Sequence, residues 1–526
     1  MKKQILLYLL FFSTISCFSQ NSFEKILAPI EGNYRDAHLV VETNDHGFLV
    51  SCRSRYIYDN DMLLSLSPEG EVTNILTFQI DGKNIKYCGL FKDNERDDEY
   101  IAIAILSSGS SLSSYIQNEI AILRIDASLD IKSQILCSLG DDIIKMSSWE
   151  ERDMPRFLRE DDGNFFMTAL CKKTDGNCRI YIRLTSEGEI IKMEEDYSNI
   201  TQVDRLMDLF LINRSDMSYG MIMTQEDGEY YYRIDSTFNS TRVARLSSMI
   251  IKTVKANPTQ QYPDTVFYYG LKGGSGLSLD DDSFFITCMG YYFKTSPGKI
   301  GWCQFLSRIN DNMIVLDSIT WDLSPANNNK PTDRIAACVK ALSNGSDGTI
   351  FHCGINGLAD VTQGYLTPIS SHIVISKFDN DCNLIWRRWY GVNDDFYNIN
   401  TIYSTEDGGC ILAGYHAKSP GFQIYYSYIL KVDENGYDAV GENAESVAKP
   451  FFCYPNPAKD AISIEFSPDI SCQSIELYTL DGRLVETFHG AAPQTIINVE
   501  GLNTGVYVMK IRTADGKEFS ERIVKE

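Results

Sequence analysis

Histidine is scarce in this 526-residue chain: His38, His46, His352, His372, His416 and His489 are all it has. A site that moves protons or holds a metal needs several such groups converging, and none of the six stands at HExxH or another ligand spacing. His46 falls in a turn, and His352 lies on a strand in phase with apolar neighbours. The 14 cysteines contain no CxxC pair, so zinc has no support. Gly-Gly-Ser-Gly-Leu at 273–277 lacks both the spacing and the strand-to-helix setting of a nucleophile elbow. No P-loop or dinucleotide fingerprint is present. Carboxylates are so abundant that finding two of them close in sequence discriminates nothing. No catalytic, cofactor-binding or metal-ligating residue is assigned, and no cofactor is expected.

What does recur is aspartate before an apolar run. The units are DHGFLVSC from Asp45, DDEYIAIA from Asp97, DGNFFMTA from Asp162, DMSYGMIM from Asp216, DDSFFITC from Asp281, DGTIFHCG from Asp347 and DGGCILAG from Asp407. The seven aspartates are spaced 52 to 66 residues apart. A second strand ending in another turn follows each, as in MLLSLSPEG, RIYIRLTSEG and SYILKVDENG. About four short strands per period indicate an all-β repeat, a β-propeller with seven blades; a false or missed copy would make it six or eight. A two-residue hairpin needs positive φ, which Gly adopts freely and Asp tolerates, and the Asp carboxylate can accept backbone N–H groups inside the turn. Strands such as CILAG and FFMTA suit burial on both faces between blades. These aspartates are therefore structural. A calcium loop needs several alternating oxygen ligands, for which DDGN and EDGG are too short. The Asp-box pattern Ser-x-Asp-x-Gly-x-Thr-Trp is not met by NGSDGTIF at 344–351.

Charge narrows the partners. Lys and Arg number 48 against 71 Asp and Glu, a formal net charge of −23. That field repels phosphate backbones, so nucleic acid and anionic membrane surfaces are not expected partners. Tyr is abundant, with clusters at 229–235, 266–270, 290–294 and 423–428. Such rings can stack on sugars or fill protein hot spots, although blade packing explains them more simply. The stretch 252–276 reads as a loop longer than a blade needs and is the expected contact surface.

The two ends carry an address. Lys2 and Lys3 precede a short apolar run, Ile5 to Phe12, and then small and polar residues. This is the order of a secretory signal peptide, 1–20, cut near Gln20, and the run is too short to span a bilayer. Cys17 raises a lipoprotein alternative that Thr14 disfavours. Without Cys17 an odd 13 cysteines remain, and Cys52, Cys88, Cys137, Cys288, Cys353 and Cys410 sit in or beside apolar runs, where cysteine acts as a small hydrophobe. Cys171 with Cys178, and Cys453 with Cys472, are the two pairs that could bridge.

The repeat units resemble the Asp-Gly-Gly-aromatic-aliphatic repeats of exported Bacteroidetes propellers over 21–437. A polar linker, 438–450, follows. From 451 to 526 the strands ISIEF, SIELYTL, VYVMKI and SERIV, with turns at Asp481-Gly482 and Asp515-Gly516, make a small β-sandwich. This stretch resembles the type A sorting domain of the type IX secretion system. Tyr454-Pro455-Asn456-Pro457-Ala458 matches its opening motif. Asp481 and Gly482 lie in its central strand–turn–strand, LYTLDGRLV. Gly505 and Tyr507 in LNTGVYVMKI, with the ending around Lys525, match its terminal signal. The resemblance implies two partners, the type IX translocon and a sortase-like protease that would remove the domain within 438–450. The passenger would then be released or joined to lipopolysaccharide at the outer-membrane surface. Asp235-Ser236-Thr237, Asp264-Thr265-Val266 and Asp317-Ser318-Ile319 resemble short O-glycosylation sites of such exported proteins.

The expected protein is an extracellular or cell-surface propeller that binds a glycan or a protein. The rival is an extracellular glycan hydrolase or lyase, with carboxylates converging in the axial channel. Two facing carboxylates and an Arg there would favour the enzyme, and an apolar plug would favour the binding module.

Overall fold

The computed structural model describes residues 22–27, 35–54, 59–108, 116–140, 143–146, 155–173, 176–197, 205–213, 217–225, 228–245, 266–279, 283–294, 300–310, 312, 314–322, 333–360, 367–392, 395–418, 426–437, 451–454, 458–466, 472–479, 482–489, 494–514 and 518–525. Every regular element among them is a β-strand.

Seven antiparallel blades follow one another. From the inner strand outward, blade 1 is Arg35–Glu42, Phe48–Ser54, Met62–Leu66 and Val72–Leu76. Blade 2 is Asn84–Lys92, Glu99–Ser108, Ile116–Asp126 and Ile131–Ser138. Blade 3 has Arg156–Arg159 inside, then Phe165–Lys173, Asn177–Leu184 and Ile190–Asp196. Blades 4 and 5 begin with the inner strands Arg205–Asn213 and Val266–Ser278, and blades 6 and 7 with Asp333–Asn344 and Asp395–Ser404. Each inner strand touches the inner strand of the next blade, and the seventh touches the first, so the ring is closed.

Closure comes from the chain's beginning. Blade 7 draws only three strands from its own stretch of sequence: Asp395–Ser404, Cys410–Lys418 and Tyr426–Val432. Its outermost strand is Phe23–Leu27, antiparallel to Tyr426–Val432 in a register that sets Phe23 opposite Lys431 and Leu27 opposite Ser427. Phe23 is buried among Phe48, Val50 and Leu66 of blade 1 and Ile411, Ala413 and Ile429 of blade 7. One ring thus seals the first blade to the last.

Burial follows the layers. Met62–Leu66, third in blade 1, is buried throughout, whereas Val72–Leu76 outside it is almost wholly exposed. Adjacent blades meet through aromatics, as where Phe166 of blade 3 stacks on Tyr219 of blade 4 with ring centroids 3.8 Å apart. Tyr230, Tyr231 and Tyr232 are likewise buried, so this tyrosine cluster packs blades.

The recurring turns differ from the two-residue hairpin expected from Asp-Gly. Thr405 N–H donates to Gly409 O and Gly408 N–H to Thr405 O, both 3.0 Å, so three residues form the loop. Glu160–Asn164, Gly345–Thr349 and Thr43–Gly47 repeat the pattern. Positive φ is needed once, after the aspartate: Gly408 (82°), Gly163 (84°), Gly348 (75°) and His46 (63°). This is a type I turn followed by a left-handed residue, whose twist suits the flanking strands. The Asp side chain holds it from inside: Asp407 Oδ1 accepts from Gly409 N–H at 3.0 Å, Asp162 Oδ1 from Asn164 N–H and Asp347 Oδ1 from Thr349 N–H, both at 3.1 Å. Asp45 accepts from Gly47 N–H at 3.4 Å. In blade 2 Asp97 is exposed and Asp98 takes the positive φ (61°). Asp216 and Asp281 lie outside the described residues.

The stretch from 451 onward forms two sheets, one of three strands (Phe451–Tyr454, Ala461–Phe466, Gln494–Asn498) and one of four (Leu484–His489, Cys472–Thr479, Gly505–Thr513, Glu518–Lys525). Ile462, Ile464 and Ile497 of the first pack with Ile475, Leu477, Met509 and Ile511 of the second, the core of a sandwich.

Candidate functional site

The inner strands share an irregularity that alternation cannot reveal. In blade 1, Ala37 pairs with Cys52 and Leu39 with Ser51, so His38 is an extra residue opposite no partner. Cys88 of blade 2, Met207 of blade 4 and Asn400 of blade 7 are extra residues at the same step of their ladders. Blades 5 and 6 lose register nearby, between Tyr269 and Gly274 and between Ala337 and Leu342. In blade 3 the inner position is split between Ile143–Met146 and Arg156–Arg159, which pair with opposite halves of Phe165–Lys173. A bulge releases one residue from the ladder and re-aims its side chain. Repeated around the ring, it builds a belt at one depth along the axis.

Polar contacts between blades occupy this belt. His38 Nε2 bonds Tyr87 O at 2.9 Å, and Ser51 Oγ bonds its Nδ1 at 3.0 Å, so both ring nitrogens serve the frame. Burial first, then Arg53 and Arg156, push the His38 pKa well below its ordinary value, which leaves a neutral ring. Asn400 Nδ2 donates to Ala37 O at 2.8 Å, joining blade 7 to blade 1. Asp208 joins blade 4 to blade 5: its Oδ2 accepts from Ser275 Oγ and Gly276 N–H, both at 2.8 Å, and its Oδ1 from Leu209 N–H at 2.9 Å. Burial raises the Asp208 pKa despite these bonds. Asp61, fully buried, accepts from Lys86 Nζ and Tyr87 N–H, both at 3.0 Å.

Cations bear on several of these groups. Lys340 of blade 6 is solvent-exposed, yet desolvation depresses its pKa, with Asp208 opposing the shift and Arg156 adding to it. Arg156 is felt by His38, Cys88, Asp208 and Lys340, groups from four other blades. Arg53 acts on His38 and Cys88, and its Nε is buried without a hydrogen-bond partner. Burial raises the Cys88 thiol pKa, so it is no thiolate. Among the described residues, no group of three His, Cys, Asp or Glu side chains could hold a metal ion.

Among the described residues, Asp208 and Asp61 are bound into the frame and Lys340 is exposed. The expected contact loop is also redrawn. Residues 266–276 belong to the inner strand Val266–Ser278, and 252–265 lie outside the described residues. His46, on its turn, lies 3.2 Å from Glu42, and His352 is buried against Thr287 Oγ1 at 3.2 Å. Cys171 and Cys178 are register partners, both buried and neither in a disulfide.

A second set of residues escaped sequence reading. In blades 2 to 7 a cation sits near the end of the third strand: Arg124, Arg183, Arg233, Arg308, Lys377 and Lys431. Lys431 Nζ meets Asp407 Oδ2 at 2.7 Å, Lys377 Nζ meets Asp347 Oδ2 at 3.0 Å and an Arg183 nitrogen meets Asp162 Oδ2 at 2.7 Å. Each such aspartate therefore closes its turn with one oxygen and reaches the third strand with the other. The signal was present as a Lys or Arg in RIYIRL, HIVISKF and SYILKV.

In the C-terminal sandwich, Tyr454 ends its strand opposite Ser463, and Pro455, Asn456 and Pro457 lie outside the described residues, as does Asp481. Ala458 is buried and bridges Lys525, so the opening motif and the terminal signal meet. Gly482 (φ 82°) makes the central turn, Gly505 begins a strand, and Tyr507 Oη donates to Asn503 O at 2.8 Å.

Residues 453–526 match the family model described as the secretion system C-terminal sorting domain. The chain carries a type IX sorting domain, which directs export to the cell surface or extracellular space. No curated protein matches the chain. Among solved structures it is similar to the polysaccharide lyase Uly1 (10% identity, TM-score 0.41, covering 79% of this chain and 98% of that one). A protein of unknown function from Dyadobacter fermentans is 9% identical (TM-score 0.34, 78% and 98% covered). A member of the DUF4221 family from Bacteroides vulgatus is 10% identical (TM-score 0.31, 79% and 99% covered).

Proposed function

We propose that this protein is an exported binding module whose ligand enters the axial channel of the propeller, and whose C-terminal domain is a removable sorting signal. One observation carries the reading: the inner strands bulge or break at a common depth and present exposed Lys340 there. Catalysis by a carboxylate pair would need an acid and a base with oxygens to spare. Asp208 and Asp61 spend theirs on backbone N–H groups, a hydroxyl and a lysine. A rigid wall that presents an exposed lysine suits recognition instead.

The test is ligand capture on saccharide and protein arrays by the full chain and by Lys340→Trp, which fills the channel from an exposed position. Binding should be lost in the variant while its circular dichroism is unchanged. Ligands held equally by both proteins would refute a channel site. The proposed processing, with the leader 1–20 removed, the propeller 21–437 retained and a cut within 438–450, is read from the masses of the two ends of surface and released material. An intact C-terminus on both would refute removal.

A further inference from the structure

The last strand of the propeller carries more than its own blade. Tyr426–Val432 pairs with Cys410–Lys418 on one edge and with the closing strand Phe23–Leu27 on the other, so the seal of the ring sits on it. A cut within 438–450 would leave a new chain end just beyond this strand, and chain ends fray unless they are tied down. Between the strand and the cut lies a turn, 433–437. Asp433 N–H donates to Tyr437 O at 2.9 Å and Gly436 N–H to Asp433 O at 3.0 Å. Asp433 Oδ1 accepts from the N–H groups of Asn435 and Tyr437, both at 2.8 Å. The outer strand of the neighbouring blade 6, Leu384–Tyr390, supplies the rest. Side chains alternate along a strand, so Trp386, Arg388 and Tyr390 share one face. They donate to three successive carbonyls of the turn: Trp386 Nε1–H to Glu434 O at 3.0 Å, Arg388 Nε–H to Asn435 O at 2.7 Å and Tyr390 Oη–H to Gly436 O at 2.6 Å. The Arg388 guanidinium also lies 4.0 Å from the centroid of the Tyr437 ring. Gly436 (φ 77°) is pressed so close that a Cβ there would stand 2.8 Å from the Trp386 ring.

From this geometry we infer that Trp386, Arg388 and Tyr390 form a retaining clasp that ends the mature propeller at Tyr437 and keeps loss of the tail from spreading into blade 7. The inference rests on the reading of the C-terminal domain as removable and adds what makes its removal harmless. The carbonyls of the turn are held by a neighbouring blade, not by the chain that follows, so they keep their partners when that chain is gone. One of the three bonds is charge-assisted, and the guanidinium over Tyr437 adds a cation–π contact at the last residue of the turn. Without the clasp, fraying from a new end would pass through 433–437 into Tyr426–Val432 and take away the seat of Phe23–Leu27.

The test uses the purified full chain with the recognition site of a sequence-specific protease inserted within 438–450. The chain is cut there, exposed to a carboxypeptidase under native conditions, and its new end is read by mass. In the parent, digestion should stop at or just beyond Tyr437, and the trimmed propeller should melt with the uncut chain. Trp386→Ala and Arg388→Ala should match the parent in circular dichroism while uncut. After the cut they should lose residues 433–437 and melt below their own uncut forms. Ile385→Ala, on the same strand but 51% exposed, should be trimmed like the parent. Digestion of the parent past Tyr437, a lower melting point of the parent after trimming, or the same stopping point in parent, Trp386→Ala and Arg388→Ala overturns the clasp. Because the protease is added from outside, an intact C-terminus on the surface protein would refute natural removal while leaving these outcomes to decide the clasp.

Discussion

Replacing Phe23 with Ala should loosen the whole ring, because this side chain is the apolar contact of the closing strand with both neighbours. Phe23 is 4% exposed, its ring meets Phe48 edge-on at 5.8 Å, and Gly70 (φ 78°) lies so close that a Cβ there would come within 2.5 Å of it. Truncating a buried Phe costs about 3–5 kcal/mol, of which an aromatic pair contributes about 0.5–1.5. The neighbours belong to two blades already fixed by their own ladders, so the cavity cannot collapse easily and the upper part of the range is expected. Ile26, on the same strand but 44% exposed, is the control. With roughly half its area in water, truncation to Ala should cost about 1 kcal/mol. Urea unfolding followed by tryptophan fluorescence and near-ultraviolet circular dichroism gives both values from the shift in midpoint. If Phe23→Ala costs no more than Ile26→Ala, the strand does not seal the ring.

Asp407→Ala leaves the Lys431 ammonium, 3% exposed, without its carboxylate, and should cost about 2–3 kcal/mol, below the fully buried range because Asp407 is 23% exposed; Asp97→Ala, in an exposed turn, should stay within about 0.5 kcal/mol in the same urea assay. Lys431 holds the Asp407 pKa below its ordinary value against the opposing effect of burial, so the pair's contribution is complete above the unfolded value near 3.9 and should vanish as pH falls through the folded one. His352 behaves in the opposite chemical sense. Burial, aided by Arg387, brings its pKa to about 3, so the unfolded chain takes up the proton first and stability falls as pH drops below about 6.5. At pH 5.5 the loss is about 1.4 kcal/mol for His352, His38 acts in the same direction, and His352→Gln should flatten the pH slope of the urea midpoint by one proton's worth.

The frame of this protein was legible because the turns are chemically demanding. Asp162, Asp347 and Asp407 announce themselves by what surrounds them, and the apolar runs behind them have nowhere to go but between blades. The sorting domain was legible for a similar reason, through a dense opening motif and ending. The closing strand was not. Phe23–Leu27 is five residues with no turn signature, and its partner lies some four hundred positions away in sequence. Nor were the bulges, because an extra residue such as His38 or Asn400 breaks the period of two at the point where alternation would be read. The stretch 266–276 misled for the same reason: its glycines read as a loop, whereas Gly274 and Gly276 sit in a strand pressed against Ile222 and Phe210.

The bulges also separate what must stay constant from what can vary. A residue in regular register answers to a cross-strand partner and to the next blade, so its replacement is tested twice by the fold. The bulged positions have no partner opposite them in the ladder, and in this chain four of them are filled by His, Cys, Met and Asn, with little in common. What fixes each of them is local, His38 through Tyr87 and Ser51 and Asn400 through Ala37, so the seam between one pair of blades can be rewritten without touching the turns and cores that the blades share.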